Sequence, residues 1–291
     1  MRLAFLGTPE PAVPSLRALV DAGHDVAVVV TRPDTRRSRG GEPSPSAVKV
    51  AAQALGLSVR HSLGELEGFG VQRGVVVAYG ALVSAALLER VPMLNVHFSL
   101  LPRWRGAAPV ERAILAGDEE TGVSVMTLEE QLDTGPVHLE RRVAVGEKRA
   151  GALLAELAVL GAEALVEVLN SPELLWHPRP QAGDATYAKK LTADTYHLVP
   201  SMDPTTLLRT VRLERAFTVL NGRRLRVITA HQFEVDEEVS GSLLVLGGDV
   251  VLVGAHGAIA LDEVQAEGSR VMSASAWWAG ARLDAAAATW S

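Results

Sequence analysis

Two stretches of this chain are apolar at consecutive positions rather than at every second one: Val26-Ala27-Val28-Val29-Val30, and Val75-Val76-Val77-Ala78 after Gly74. A strand with one wet face alternates apolar and polar residues, so an unbroken β-branched run needs cover on both faces. Helices give that cover in parallel sheets. Segments with helical character flank the runs, Val13 to Ala22 before the first and Ser84 to Arg90 after the second, while Arg2 to Leu6 and Leu94 to Phe98 read as further strands. This alternation predicts a doubly wound, Rossmann-like α/β domain whose ligands bind outside the carboxyl ends of its strands.

A helix is expected over Ala107 to Leu115, followed by two β-rich runs, Gly122 to Leu128 and Gly135 to Val145, pairing as neighbours. The helix Ala150 to Leu169 repeats Leu153, Leu154, Leu157, Leu160 and Leu165 at roughly helical spacing, which marks a core-facing stripe. Ser171 to Asp184 holds three prolines and a glycine and reads as a linker. Beyond it, Asn221-Gly222 sits between alternating runs, a strong hairpin signal. Short strands at Ser242 to Leu246, Val250 to Val253 and Ala258 to Val264 then suggest a small β-barrel. Two domains follow, residues 1–183 with a linker at about 171–184, and residues 190–291.

Composition removes several functions. The chain has no cysteine, which excludes disulfides and thiolate chemistry. Histidines and carboxylates do not fall at metal-ligand spacing, so no metal is expected. Leu6-Gly7-Thr8-Pro9-Glu10 follows the first strand, where a dinucleotide fingerprint would lie, yet carries one of its three glycines and a proline that removes a backbone donor. The apolar N-terminal run is too short for a signal peptide or membrane span, which leads to a cytoplasmic protein that touches no membrane. A net charge of −6 offers no global attraction for nucleic acid, so such a partner would need a local basic patch.

The chemistry concentrates in Asn95-Val96-His97-Phe98-Ser99-Leu100-Leu101-Pro102-Arg103-Trp104-Arg105-Gly106, with Leu132-Asp133-Thr134-Gly135 downstream. Asn95 and His97 are two apart, so on a strand both side chains leave one face. Pro102 and Gly106 then turn the chain. Asp133, before a Thr-Gly turn, is placed as a loop carboxylate is when it orients a histidine.

The combination resembles the folate-dependent formyltransferases. Ser99 to Pro109 is similar to the signature of the branch that acts on methionyl-tRNA, with supporting matches at Leu6 to Glu10, Thr31-Arg32-Pro33-Asp34, Val77-Ala78-Tyr79-Gly80 and Ala116-Gly117-Asp118. Weaker matches continue through Tyr187 to Leu191 and Leu220-Asn221-Gly222. The resemblance implies a Rossmann-like catalytic domain, a linker and a C-terminal barrel like an OB-fold. It also implies transfer of the formyl group of 10-formyltetrahydrofolate to the amine of methionyl-initiator tRNA by a monomer. Asn95 would hold the oxygen that turns negative, His97 would move protons, and Asp133 would support His97. Folate would lie along Val77, Ala78, Tyr79 and Gly80 and along Ser99, Leu100, Leu101 and Pro102, with Ser99 a turn or folate contact and not a nucleophile.

Two arginine-rich segments bear on the acceptor. Arg32 to Gly41 includes Arg36, Arg37 and Arg39, candidates for phosphate contact in the loop that enters the tRNA acceptor stem in the family resembled. Six arginines fall between Arg209 and Arg226, Arg223 and Arg224 among them, and would extend a positive track. The pattern departs from the family at Phe98, where many members have glycine, and in a shortened stretch from Arg60 to Gly74. It departs again in the second domain, at Arg212 to Phe217 and Gly268 to Met272. A formyltransferase acting on another amine, such as a sugar amine or metabolite, and a non-catalytic folate- or RNA-binding protein are the alternatives. Retention of all three polar groups favours catalysis over simple binding.

Overall fold

The computed structural model describes residues 1–36, 42–66, 68–235, 239–281, 283 and 289–291. The chain divides into two compact units, one made of Met1–Val110, Glu119–Gly146 and Leu153–Lys189, the other of Glu111–Asp118, Glu147–Ala152 and Lys190–Ser291.

The first unit is built on a seven-stranded sheet. Its strands are β1 (Arg2–Gly7), β2 (Asp25–Val30), β3 (Val59–Arg60), β4 (Arg73–Val77), β5 (Met93–His97), β6 (Glu120–Thr127) and β7 (Val137–Ala144). Their order is β7-β6-β5-β4-β1-β2-β3. The five strands from β5 to β3 run parallel, and β6 lies antiparallel to both β5 and β7. The expected doubly wound parallel sheet is present, with an antiparallel pair added at one edge. From β1 the chain builds outward to β2 and β3, then returns to the other side of β1 for β4 and β5. That reversal puts the switch point between β1 and β4, at whose carboxyl ends such sheets open a crevice.

The valine runs are covered as their pattern demands: Val28, Val29, Val30, Val75, Val76 and Val77 are all buried. On the helix Ala150–Asn170, Leu153, Leu157 and Leu165 are fully buried, each worth about 2 kcal/mol of apolar burial. Leu154 and Leu160 are half-buried. A Cβ at Gly161 would lie 2.7 Å from a methyl of Val96, so this glycine lets the helix settle directly on β5, behind Asn95 and His97.

His138 on β7 is buried and fully bonded. Its Nδ1–H donates to the Leu174 carbonyl at 2.9 Å, and its Nε2 meets the Thr127 hydroxyl at 2.9 Å. Burial pushes the imidazole below its ordinary range; the Leu174 carbonyl opposes this and Arg73 adds to it. The unfolded chain therefore takes up this proton at a higher pH than the folded one, so the contribution is intact above about pH 6.5 and is lost as pH falls toward the folded value. We expect the urea midpoint to drop between pH 7 and pH 5, less steeply in His138→Gln. An NMR midpoint for His138 at or above 6.5 would contradict this assignment.

The stretch 171–184, read from composition as a linker, is folded into the first unit. It contains the helix Pro172–Trp176, capped by the Ser171 hydroxyl, and Arg179 forms a backbone bridge with Val137. Three prolines cannot continue a helix, but they leave carbonyls and side chains free to bond elsewhere.

The second unit carries an antiparallel sheet of β8 (Phe217–Leu220), β9 (Arg223–Phe233), β10 (Leu243–Leu246), β11 (Asp249–Gly254), β12 (Gly257–Ala266) and β13 (Met272–Ser273). The order is β8-β9-β12-β11-β10, with β13 beside β12. Asn221 and Gly222 both adopt positive φ, 47° and 75°, as a two-residue hairpin turn requires. The two sheet edges are joined by the chain end: Trp290 bridges to Leu220 of β8, and Thr289 bridges to Ser242 at the start of β10. Trp290 is buried in the interior formed by Leu225, Val227, Leu243, Leu252 and Leu261. This is a small curled barrel of the expected OB-like kind. Among the described residues, no helix is long and apolar enough to cross a membrane.

Candidate active site

Asn95 and His97 end β5 and project from the same face into a cavity of about 500 Å³. The rest of the lining comes from the end of the neighbouring β4, through Val76, Ala78, Tyr79 and Gly80, and from the loop 128–133, which brings in Asp133. Ala78 at φ 46° and Gly80 at φ 72° turn the backbone sharply here. The Arg32 guanidinium donates to the Gly80 carbonyl at 2.5 Å and pins this turn. Burial pushes the Tyr79 phenol above its usual range, with Arg32 pulling it back, so it stays a neutral donor.

The three expected polar groups are brought together and each is nearly buried, at 9 % for Asn95, 6 % for His97 and 7 % for Asp133. Their arrangement differs in one respect from simple carboxylate support of the histidine. His97 Nε2 lies 2.9 Å from the Trp104 carbonyl, which can only accept, so Nε2 carries a proton. Asp133 Oδ2 is 3.7 Å from Nδ1, an ion-pair distance and not a hydrogen bond, and instead accepts from the Gly106 backbone N–H at 2.7 Å. The histidine's orientation is thus fixed by Trp104, while Asp133 faces its other nitrogen. Trp104 has φ 60°, an uncommon conformation for a bulky residue, and the turn holds that strain so that its carbonyl points at the ring.

Of the positions expected to contact folate, Ala78, Tyr79 and Gly80 line this cavity, whereas Val77 does not. Side chains alternate along β4, so Val76 faces the cavity and Val77 is buried in the core. Ser99, Leu100, Leu101 and Pro102 also lie outside the lining. Ser99 is fully buried and its hydroxyl donates to the Arg103 carbonyl at 2.6 Å, closing the turn that delivers Trp104. The Ser124 hydroxyl donates to the Ser99 carbonyl at 2.8 Å and accepts from the Leu101 N–H at 3.1 Å. This segment therefore shapes the site and does not face it. With its hydroxyl committed to a carbonyl, Ser99 suits its reading as a turn residue.

Arg36 is exposed in a two-residue strand, Thr35–Arg36, paired with Pro43–Ser44; Arg37 and Arg39 lie outside the described residues. Arg223 and Arg224 are exposed at the start of β9, with the Arg224 guanidinium 3.6 Å over the Phe217 ring. Sequence reasoning missed the Trp104 carbonyl, the loop 128–132, Gln181 and Thr186. Backbone carbonyls carry no residue signature, and Gln181 and Thr186 sit in or beside a stretch whose prolines drew attention elsewhere.

Among the described residues, no cluster of His, Asp and Glu is arranged to hold a metal ion. The cavity size suits a small organic ligand, with apolar walls and a few convergent polar groups. Fold and site together define an α/β enzyme in which an amide, an imidazole and a carboxylate meet in one cavity. The chain belongs to the formyl transferase family: the family's main domain matches residues 1–169 and the domain described as "Formyl transferase, C-terminal domain" matches residues 206–282. It is 39% identical over 309 residues to a methionyl-tRNA formyltransferase of Heliobacterium modesticaldum, covering 97% of this chain and 98% of that one. A methionyl-tRNA formyltransferase of Novosphingobium aromaticivorans is 44% identical over 255 residues, covering 82% and 84%. The fold is shared with an N-formyltransferase from Helicobacter canadensis solved with folinic acid and dTDP-3-aminofucose, at TM-score 0.67 and 15% identity over 89% of this chain and 98% of that one.

Proposed function

We propose that this enzyme transfers the formyl group of 10-formyltetrahydrofolate to the amine of methionyl-initiator tRNA. The convergence of Asn95, His97 and Asp133 on one cavity that the Ala78–Gly80 turn also lines carries this reading. The folate supplies a formyl carbon already bound to nitrogen. Its ring system would lie along the largely apolar lining that includes Ala78, Tyr79 and Gly80. The Asn95 amide donates to the formyl oxygen as negative charge builds on it, an interaction worth roughly 3 kcal/mol in other acyl transfers.

His97 has one nitrogen committed. Because Nε2–H is held by Trp104, Nδ1, which faces Asp133 at 3.7 Å, is the atom that exchanges a proton. As the amine attacks the formyl carbon, its proton passes by way of Nδ1 to the folate nitrogen, whose bond to that carbon breaks as tetrahydrofolate leaves. No covalent intermediate on the enzyme is needed.

The choice of methionyl-tRNA over other amines is supported by the two relatives above, each matching across most of its length. The test is to incubate the enzyme with 10-formyltetrahydrofolate and charged initiator tRNA and to measure formyl-methionine and free formate. Formyl-methionine is the expected product. Formate alone would indicate a hydrolase, and neither product would point to another amine.

Arg36 and Arg223 are read as phosphate contacts. Binding of charged initiator tRNA should then weaken with salt, and Arg36→Gln with Arg223→Gln should lower the slope of log affinity against log salt by about 1 for each phosphate no longer neutralised. The KM for folate should stay within twofold. An unchanged slope in the double variant would remove these residues from the RNA interface.

A further inference from the structure

The Gln181 side chain is held between two parts of the active site. Its Nε2 donates to the carbonyls of Asp133 and Gly135, both at 2.8 Å. Its Oε1 accepts from Arg105 Nε at 3.1 Å and Nη2 at 2.6 Å. These partners fix the amide's orientation, since turning it over would set its oxygen against two carbonyls and its NH₂ against a guanidinium. All four bonds of the primary amide are used in this one link.

Both ends of the link matter to the chemistry. Asp133 sits at φ 52°, a left-handed conformation that few non-glycine residues adopt, aspartate among the more tolerant of them. Its carboxylate is fixed by the Gly106 N–H, and Gly106 is the residue next to Arg105. Gln181 thus ties the Asp133 backbone to the strand pair that presents the Asp133 side-chain partner. A few residues on, Thr186 completes a second link: its hydroxyl accepts from the Trp104 N–H at 2.9 Å, and the Trp104 carbonyl orients His97. Between them, Arg105–Gly106 pairs in parallel with Tyr187–Ala188. A Cβ on Gly106 would lie 2.8 Å from the Ala188 carbonyl oxygen, so the two segments touch backbone to backbone.

We infer that Gln181 is a positioning residue, acting through Asp133, and that Thr186 does the same for His97 through Trp104. Neither touches the reacting atoms. Their work is to hold two catalytic groups at fixed places before substrate arrives, in a step where a displacement of about 1 Å costs on the order of 100-fold. The kinetic part of this inference rests on the formyl-transfer reading, whereas the structural part does not.

The test uses Gln181→Ala, Gln181→Glu and Thr186→Val in the full chain. Gln181→Glu keeps the acceptor for Arg105 but cannot donate to two carbonyls, so it should behave like Gln181→Ala. Each should lower kcat about tenfold or more, with KM for folate and tRNA within twofold and thermal midpoints within a few degrees of wild type. In an Asp133→Asn background, Gln181→Ala should lower kcat by less than twofold further, because the group it positions is already disabled. An undiminished tenfold drop in that background, or normal kcat in both Gln181 variants, would overturn the inference.

A second measurement is independent of activity. Amide exchange at Gly106 reports the bond to Asp133 directly, and protection there should fall at least tenfold in Gln181→Glu while core amides of β4 keep theirs. Unchanged Gly106 protection would overturn the positioning role whatever the acceptor proves to be. Wild-type enzyme that exchanges as expected but yields no formyl-methionine would count against the proposed function and leave this inference standing.

Discussion

His97→Ala is expected to remain folded while kcat for formyl transfer falls by about 10²- to 10⁴-fold, the usual worth of a positioned proton-transfer group. The side chain is 6 % exposed, and losing it leaves the Trp104 carbonyl facing a small void, a cost the first unit's core can bear. Asn95→Ala should cost about 10²- to 10³-fold by removing one donor to the developing oxyanion. The two losses should not add, because both groups serve the same charged state. Single-turnover assays on purified variants with matched circular dichroism and melting curves would decide it. Turnover of His97→Ala near the wild-type rate would end the assignment of proton transfer to this residue.

Gly135→Ala is expected to be the most disruptive single methyl group near the site. A Cβ there would lie 1.9 Å from the Thr127 carbonyl oxygen and 3.0 Å from its carbon, so backbone must move. Thr127 ends β6, donates its N–H to the Pro136 carbonyl at 2.9 Å and carries the hydroxyl that meets His138. The neighbouring Leu128 N–H donates to the Met93 carbonyl of β5 at 2.8 Å. Displacement would therefore reach the strand that bears Asn95 and His97. We expect a loss of roughly 3 kcal/mol in denaturant unfolding, as for overpacking that shifts backbone, and a drop in kcat alongside it. A variant with unchanged midpoint and unchanged kcat would show that the Asp133 turn yields freely.

Legibility in the sequence differs from element to element. The valine runs at β2 and β4 announced a sheet covered on both faces, because burial on two sides leaves no position where a polar residue is tolerated. The Asn221-Gly222 turn was equally plain, since two consecutive positive φ angles select those residues. Within the site, the two-residue spacing of Asn95 and His97 was enough to place both on one face. The same alternation, carried one residue further, shows why Val77 belongs to the core and not to the cavity. The linker reading of 171–184 failed for a different reason: prolines announce the lack of regular structure, not the lack of tertiary contact. Gln181 and Thr186 lie in that stretch or just beyond it, and their partners are between 46 and 82 residues away.

Short-range chemistry along the chain was sufficient for the strand and helix alternation, the placement of an amide and an imidazole on one strand face, and the supply of a carboxylate before a Thr-Gly turn. Each follows from forces acting over a few residues: side-chain periodicity, the φ limits of glycine and proline, and the burial of apolar runs. Three features emerged with folding alone: the atom that orients His97, the partners that hold Asp133 in a left-handed conformation, and the bracing of the site by a proline-rich stretch. Those depend on backbone carbonyls, which every residue has, and on hydrogen bonds between distant segments. Local pattern cannot encode such pairings until the chain has brought the partners together.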